Sequence, residues 1–157
     1  MADREVARQA TGRLAQMGAT VAALAIQNGF ALIAHVGDSR VYRLREGALE
    51  ALTRDHSLQA EMESSGLAAP GPYRVSNVIT QALGAGSPVR PDVRIEPALP
   101  GDRYLLCTDG LTDALDAESI AWLLTRARGA TDALVEAAFE RGSTDNITAL
   151  VVSLATD

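Results

Sequence analysis

Asn28-Gly29 stands between two apolar runs, Thr20 to Ile26 and Phe30 to Val36, and this constrains the fold more than any other feature. Asn-Gly accepts the left-handed backbone of a two-residue hairpin turn, so the two runs read as neighbouring antiparallel strands. Phe30 to Val36 is apolar almost throughout, which implies that both of its faces are covered. A strand covered on both faces needs two packed sheets, or a sheet between helices.

The rest of the chain supplies such layers. Val6, Ala10, Leu14 and Met17 fall on one helical stripe, so residues 3–17 are expected to form a helix of about four turns ended by Gly18. Val41 to Arg45 and Leu49 to Thr53 read as shorter, more exposed strands around Glu46-Gly47, with arginines on one face. Ser57 to Ser64 reads as a short helix, Gly66 to Pro72 as a loop and Val78 to Leu83 as a strand. Asp92 to Pro97 and Tyr104 to Thr108 follow as strands around the Pro100-Gly101-Asp102 turn. Asp116 is placed to cap a helix over Ala117 to Ala127, stopped at Gly129, and Thr131 a helix over Asp132 to Arg141, stopped at Gly142. Ile147 to Leu154 is the last strand. Short turns between adjacent strands imply antiparallel pairing, and the expected class is an α+β sandwich forming a single domain over residues 1–157.

Composition narrows the chemistry. All fourteen basic residues are arginine, which excludes the Gly-Lys-Ser/Thr phosphate loop and every lysine Schiff base. The net charge of −6 argues against nucleic acid or an anionic membrane as partner and suits a protein that holds cations. No apolar run reaches the ~18 residues of a membrane span. The single cysteine, Cys107, forms no internal disulfide and implies a reducing, cytoplasmic setting. Cys107 lies in an apolar strand, without the downstream arginine of a cysteine phosphatase, and reads as a buried inert thiol. His35 and His56 fit no His-Glu-x-x-His pattern, and there is no Gly-x-Ser-x-Gly elbow.

What remains is aspartate beside strands: Asp38 in Val36-Gly37-Asp38-Ser39-Arg40, Asp109 in Cys107-Thr108-Asp109-Gly110-Leu111, and Asp145 in Ser143-Thr144-Asp145-Asn146-Ile147. An apolar strand is a rigid support, and a carboxylate just beyond it escapes the core. Carboxylates gathered at one sheet end repel one another unless a proton or a cation intervenes. Oxygen-only ligands favour Mg2+ or Mn2+ over zinc. Gly37 and Gly110 would let the backbone approach an ion or a phosphate. Each aspartate alone reads more readily as turn chemistry, Asp145 as a simple Asx-turn; the order and spacing of all three change that.

Six segments, taken in order, resemble the metal-dependent protein phosphatases of type 2C, with the bacterial branch nearest. They are Met17-Gly18-Ala19-Thr20, Val36-Gly37-Asp38-Ser39-Arg40, Thr53-Arg54-Asp55-His56-Ser57, Asn77 to Gly84, Gly101 to Leu111, and Asp145-Asn146-Ile147-Thr148. The resemblance implies two antiparallel sheets flanked by helices, in α-β-β-α layers. It implies hydrolysis of phosphoserine or phosphothreonine in proteins by a water that two metal ions activate. Asp109 and Asp145 match ligands of that di-metal centre, and Asp38 matches a ligand of a third, weaker metal. Asn146 would orient Asp145; Gly37, Ser39, Arg40 and Gly110 would support the site. Residues about 57–76 match the flap that shapes substrate access. The family's amino-terminal Arg-x-x-Asn-Glu-Asp and Asp-Gly-x-Gly-Gly motifs are absent from this sequence. With them go the phosphate-gripping arginine, the metal-bridging carboxylate and several strands. The chain is therefore expected to be the carboxy-terminal portion of the domain, weak or inactive alone and prone to self-association through exposed sheet edges. The alternative is a non-catalytic interaction or regulatory module on the same fold.

Overall fold

Asn28 and Gly29 both take positive φ, 51° and 76°, as the hairpin turn demands. They join β1 (Val21–Gln27) to β2 (Phe30–Val36) in register from Val21 opposite Val36 to Gln27 opposite Phe30. The structure, a computed structural model, describes residues 1–67, 78–86, 88–126 and 129–156. Glu46 and Gly47 repeat the device at φ 52° and 83°, closing β3 (Arg40–Arg45) on β4 (Ala48–Ala51). With β5 (Asp92–Pro97), β6 (Arg103–Cys107) and β7 (Ala149–Ser153) these make two antiparallel sheets, ordered β1-β2-β5 and β4-β3-β6-β7.

Two apolar layers hold the sheets. Ala31, Ile33, Val41, Leu52, Ala98 and Tyr104 are buried between them. The other face of the four-stranded sheet, with Leu44, Leu105 and Cys107, packs against helices. Those helices are α4 (Ala117–Arg126) and α5 (Ala130–Glu140), which contribute Ile120, Leu124, Leu134 and Ala138. Asp116 caps α4, accepting the Ser119 N–H at 2.8 Å. The short α2 (Leu58–Ser64) is capped by Ser57, whose Oγ accepts from the Ala60 N–H at 3.2 Å.

Several expectations are corrected. The first helix, α1, covers only Ala2–Gln9, and a 3-10 turn follows at Gly12–Leu14. Gly12 has φ 59°, which breaks the stripe. Val78 to Leu83 is no strand; it is held by single bridges, Ile79 to Ser57 and Leu83 to Ala19. α5 begins two residues early, at Ala130 after a left-handed Gly129, so Thr131 is inside it. Arg43 and Arg45 point inward. Arg43 is 11% exposed and pairs with Glu50 at 2.5 Å, and Arg45 reaches the buried Asp102 at 2.7 Å. The outer face of β1-β2-β5 is bare rather than covered: Phe30 is 54% exposed and Ile95 65%, with Val21, Leu32 and Val93 also exposed. The Gly66–Pro72 loop and the flap lie outside the described residues from residue 68 onward.

Candidate metal centre

Strand register brings the three aspartates to one end of the four-stranded sheet. Arg40 at the start of β3 pairs with Cys107 at the end of β6, and Cys107 pairs with Ala149 at the start of β7. Asp38 lies two residues before Arg40, Asp109 two after Cys107, and Asp145 four before Ala149.

Asp38 is 8% exposed. Burial raises its pKa above the usual carboxylate range, and the charge of Asp109 adds to that. It follows Gly37, whose φ of 102° excludes other residues and whose missing Cβ leaves room for Thr20. The turn is pinned from both sides. Thr20 Oγ1 and Ser39 Oγ share a hydrogen bond at 2.8 Å, and the His56 N–H donates to the Gly37 carbonyl at 2.9 Å. Arg40 does not face a ligand; it forks onto both carboxylate oxygens of Asp55, at 2.8 and 2.6 Å. Burial of Asp38 is thus compensated only in part by Arg40.

Asp109 does more than follow a strand: it opens a one-turn helix, α3 (Asp109–Thr112). Four residues are too few to show helical periodicity, so the sequence carried no sign of it. Its Oδ1 accepts the Gly110 N–H at 2.9 Å. Burial raises its pKa, opposed by that hydrogen bond and assisted by Asp145 and Asp113. Asp145 is exposed, and its Oδ1 accepts the Asn146 N–H at 2.7 Å. Asn146 therefore orients Asp145 through its backbone rather than its side chain. Gly110 packs directly on this loop, since a Cβ there would lie 2.6 Å from the Asn146 carbonyl oxygen and 3.4 Å from Asp145 Cβ. Ser143 Oγ donates to the Gly110 carbonyl at 2.8 Å, and Thr108 Oγ1 to the Asn146 carbonyl at 3.1 Å. Oδ2 of Asp109 and of Asp145 accepts no hydrogen bond among the described residues. Cys107, just behind, is buried, and burial pushes its thiol pKa up to about 12, the mark of an inert thiol.

The three carboxylates share an end but do not converge to contact. Among the described residues, the group with three donor atoms within 4.8 Å of one another is His35, His56 and Asp92. Sequence reasoning missed it. Its members come from β2, the segment after β4 and β5, so no local spacing announces it.

The donor set at the sheet end fits hard cations: oxygen only, raised carboxylate pKa values, and a neighbouring arginine already engaged by Asp55. No described helix is long and apolar enough to cross a membrane. A family model described as Protein phosphatase 2C matches residues 2–152. Protein phosphatase PhpP of Streptococcus pneumoniae is 35% identical over 144 residues, covering 88% of this chain and 58% of that protein. A solved serine/threonine phosphatase of S. agalactiae has TM-score 0.89 at 34% identity, covering 97% of this chain and 66% of that one. The catalytic domain of serine/threonine protein phosphatase PstP, solved with two manganese ions, has TM-score 0.85 at 30% identity, covering 98% and 67%. The chain thus spans 58% of the length of the curated relative it matches.

Proposed function

Because the chain belongs to the protein phosphatase 2C family, we propose that it is the carboxy-terminal portion of a metal-dependent protein serine/threonine phosphatase domain. Residues 1–157 form one unit in this reading, with the flap at about 57–76. Its substrates are phosphoserine and phosphothreonine in proteins. Asp109, Asp145 and Asp38 contribute ligands for Mg2+ or Mn2+. The observation that carries the proposal is the register-driven gathering of three carboxylates whose repulsion no basic side chain among the described residues fully relieves.

A bound divalent ion would supply polarisation of phosphoryl oxygens and activation of water. The chain's own part is positioning. The Gly110 and Asn146 amides fix one oxygen of Asp109 and of Asp145 and leave the other for a cation. Arg40 keeps the Asp38 turn in shape through Asp55 and is not a phosphate clamp. Nothing in this sequence supplies the family's bridging carboxylate or phosphate arginine. Loss of such transition-state contacts lowers rates on the order of a thousandfold or more. Self-association belongs to the same reading, supported by the bare face of β1-β2-β5.

The test is hydrolysis of p-nitrophenyl phosphate with Mn2+. The 157-residue chain alone is expected to run barely above buffer. Adding the amino-terminal portion of a relative should restore turnover, and Asp109→Asn should abolish it again. Robust Mn2+-dependent turnover by the chain alone, lost in Asp109→Asn, would mean that it completes its own site. No turnover in any combination would refute the phosphatase reading.

A further inference from the structure

A second group of metal-ligating side chains lies between the two sheets, joined to the Asp38 turn through Gly37 but sharing no residue with the three aspartates. His35 on β2 is paired in register with Asp92 on β5. His56 comes from the segment after β4 and stacks on His35, with ring centroids 4.6 Å apart. Both imidazoles are buried, 3% and 8% exposed. Asp92 is the accessible member and lines two clefts at once. One, of about 430 Å³, runs past Ile33, His35, Leu52 and Arg94. The other, of about 220 Å³, runs past His56, Asp55 and Gln81. An ion can therefore reach the group from solvent.

We propose that His35, His56 and Asp92 form a second metal site, for a borderline divalent ion such as Zn2+. Two imidazoles and one carboxylate are the ligand set of a three-protein-ligand zinc centre, which leaves the fourth position to water or a ligand in the cleft. This chemistry differs from that of the oxygen-only acidic end. His35 is prepared for it. Its Nε2 donates to the Arg54 carbonyl at 2.7 Å, which places the proton on Nε2 and frees the Nδ1 lone pair. A backbone carbonyl on the far ring nitrogen is the usual support of a ligating histidine. The basic neighbours are already engaged: Arg94 by Glu96 and Glu50, and Arg54 by the Ala60 carbonyl.

His56 must change on binding. Its Nδ1 accepts the Gly37 N–H at 3.2 Å, so its proton sits on Nε2, facing Asp92 Oδ2 at 3.4 Å. Coordination through Nε2 moves that proton to Nδ1 and breaks the bond from Gly37. The donor atoms must also close from within 4.8 Å of one another to the ~3.4 Å set by metal–nitrogen bonds of about 2.1 Å. The exposed Asp92 side chain can swing in, and the two stacked imidazoles must turn so that their in-plane lone pairs meet at the ion. Gly37 precedes Asp38, so the ion reports its arrival at the turn carrying that carboxylate.

The test is titration of Zn2+ into the 157-residue chain, followed by calorimetry and by 15N NMR of the histidine rings and backbone amides. Expected are one bound ion per chain at this site, a switch of the His56 ring from the Nε2–H to the Nδ1–H form, and a shift of the Gly37 amide. Asp92→Asn, at an exposed position, should weaken that binding about tenfold or more, and His35→Gln likewise. Asp109→Asn should leave it intact, which separates this site from the proposed phosphatase centre. An unchanged His56 ring at saturating Zn2+, or wild-type affinity in Asp92→Asn, would overturn the proposal.

Discussion

Gly110→Ala tests the packing that joins Asp109 to Asp145. Gly110 lies inside α3 with helical backbone angles, so alanine by itself would favour the helix by about 1 kcal/mol. Its Cβ, however, would stand 2.6 Å from the Asn146 carbonyl oxygen and 3.2 Å from its carbonyl carbon. Ordinary contact begins near 3.4 Å, so the 145–146 backbone must retreat by roughly 0.8 Å. That backbone is not free to slide, being held by the Thr108 hydroxyl on the Asn146 carbonyl and the Ser143 hydroxyl on the Gly110 carbonyl. Overpacking against rigid backbone costs about 1–3 kcal/mol, and weakening the two hydrogen bonds adds about 1 kcal/mol. The net loss is then about 1–3 kcal/mol, or a fall in Tm of about 2–12 °C for a domain of this size. Gly18→Ala is the control, since a Cβ there meets nothing closer than 3.4 Å and is expected to shift stability by less than about 0.5 kcal/mol. Differential scanning calorimetry gives Tm, and Mn2+ titration gives the site's response, which should weaken further than the Tm loss explains. Wild-type Tm and wild-type Mn2+ affinity in Gly110→Ala would refute the claim that the two aspartates are locked together here.

Asp102→Ala should destabilise the chain by roughly 2–4 kcal/mol in urea melts, because it strips the buried end of the Arg45 pair, the Leu99 N–H and the Tyr104 hydroxyl of one partner. The Arg45 pair holds the Asp102 pKa below the ordinary value, so its stabilisation is present above that value and is lost as pH falls through the lowered one. Acid titration of Tm should therefore fall less steeply below pH ~4 in Asp102→Asn than in wild type. Light scattering at micromolar concentration should show dimers or larger species, reduced by Ile95→Glu on the bare sheet face; a monomeric wild type would remove that face as a contact. Cys107 should resist thiol reagents in the native state, since its thiol pKa is about 12, and react only on unfolding.

The strands around the hairpins were legible from sequence to within a residue or two. Phe30–Val36 and Asp92–Pro97 match because turn residues of special φ and runs of β-formers mark both ends. Elements that depend on partners were not. The alternation in β3 separates Val41, Arg43 and Arg45 from Tyr42 and Leu44, but which set faces the neighbouring sheet is decided by Glu50 and Glu96 on other strands and by Asp102 in the turn before β6. The apolar outer face of β2 was read as covered, because hydrophobicity records what a face favours and not what lies against it. The common end of the three aspartates was legible because each sits beside an apolar strand. Their separation was not, since it depends on register and on the helical turn at Asp109. The His35, His56 and Asp92 group depends on the same kind of nonlocal pairing.

The central claim is that Asp109 belongs to a hard-cation site assembled at this sheet end. Calorimetric titration of Mn2+ into wild type and Asp109→Asn tests it most directly. The Asp-Gly-x-Gly-Gly motif is absent from this sequence, so on the proposed reading each carboxylate present carries a large share of the attraction. The account predicts high-micromolar or weaker binding in wild type and none in Asp109→Asn. Nanomolar binding, or equal binding by both proteins, would contradict it.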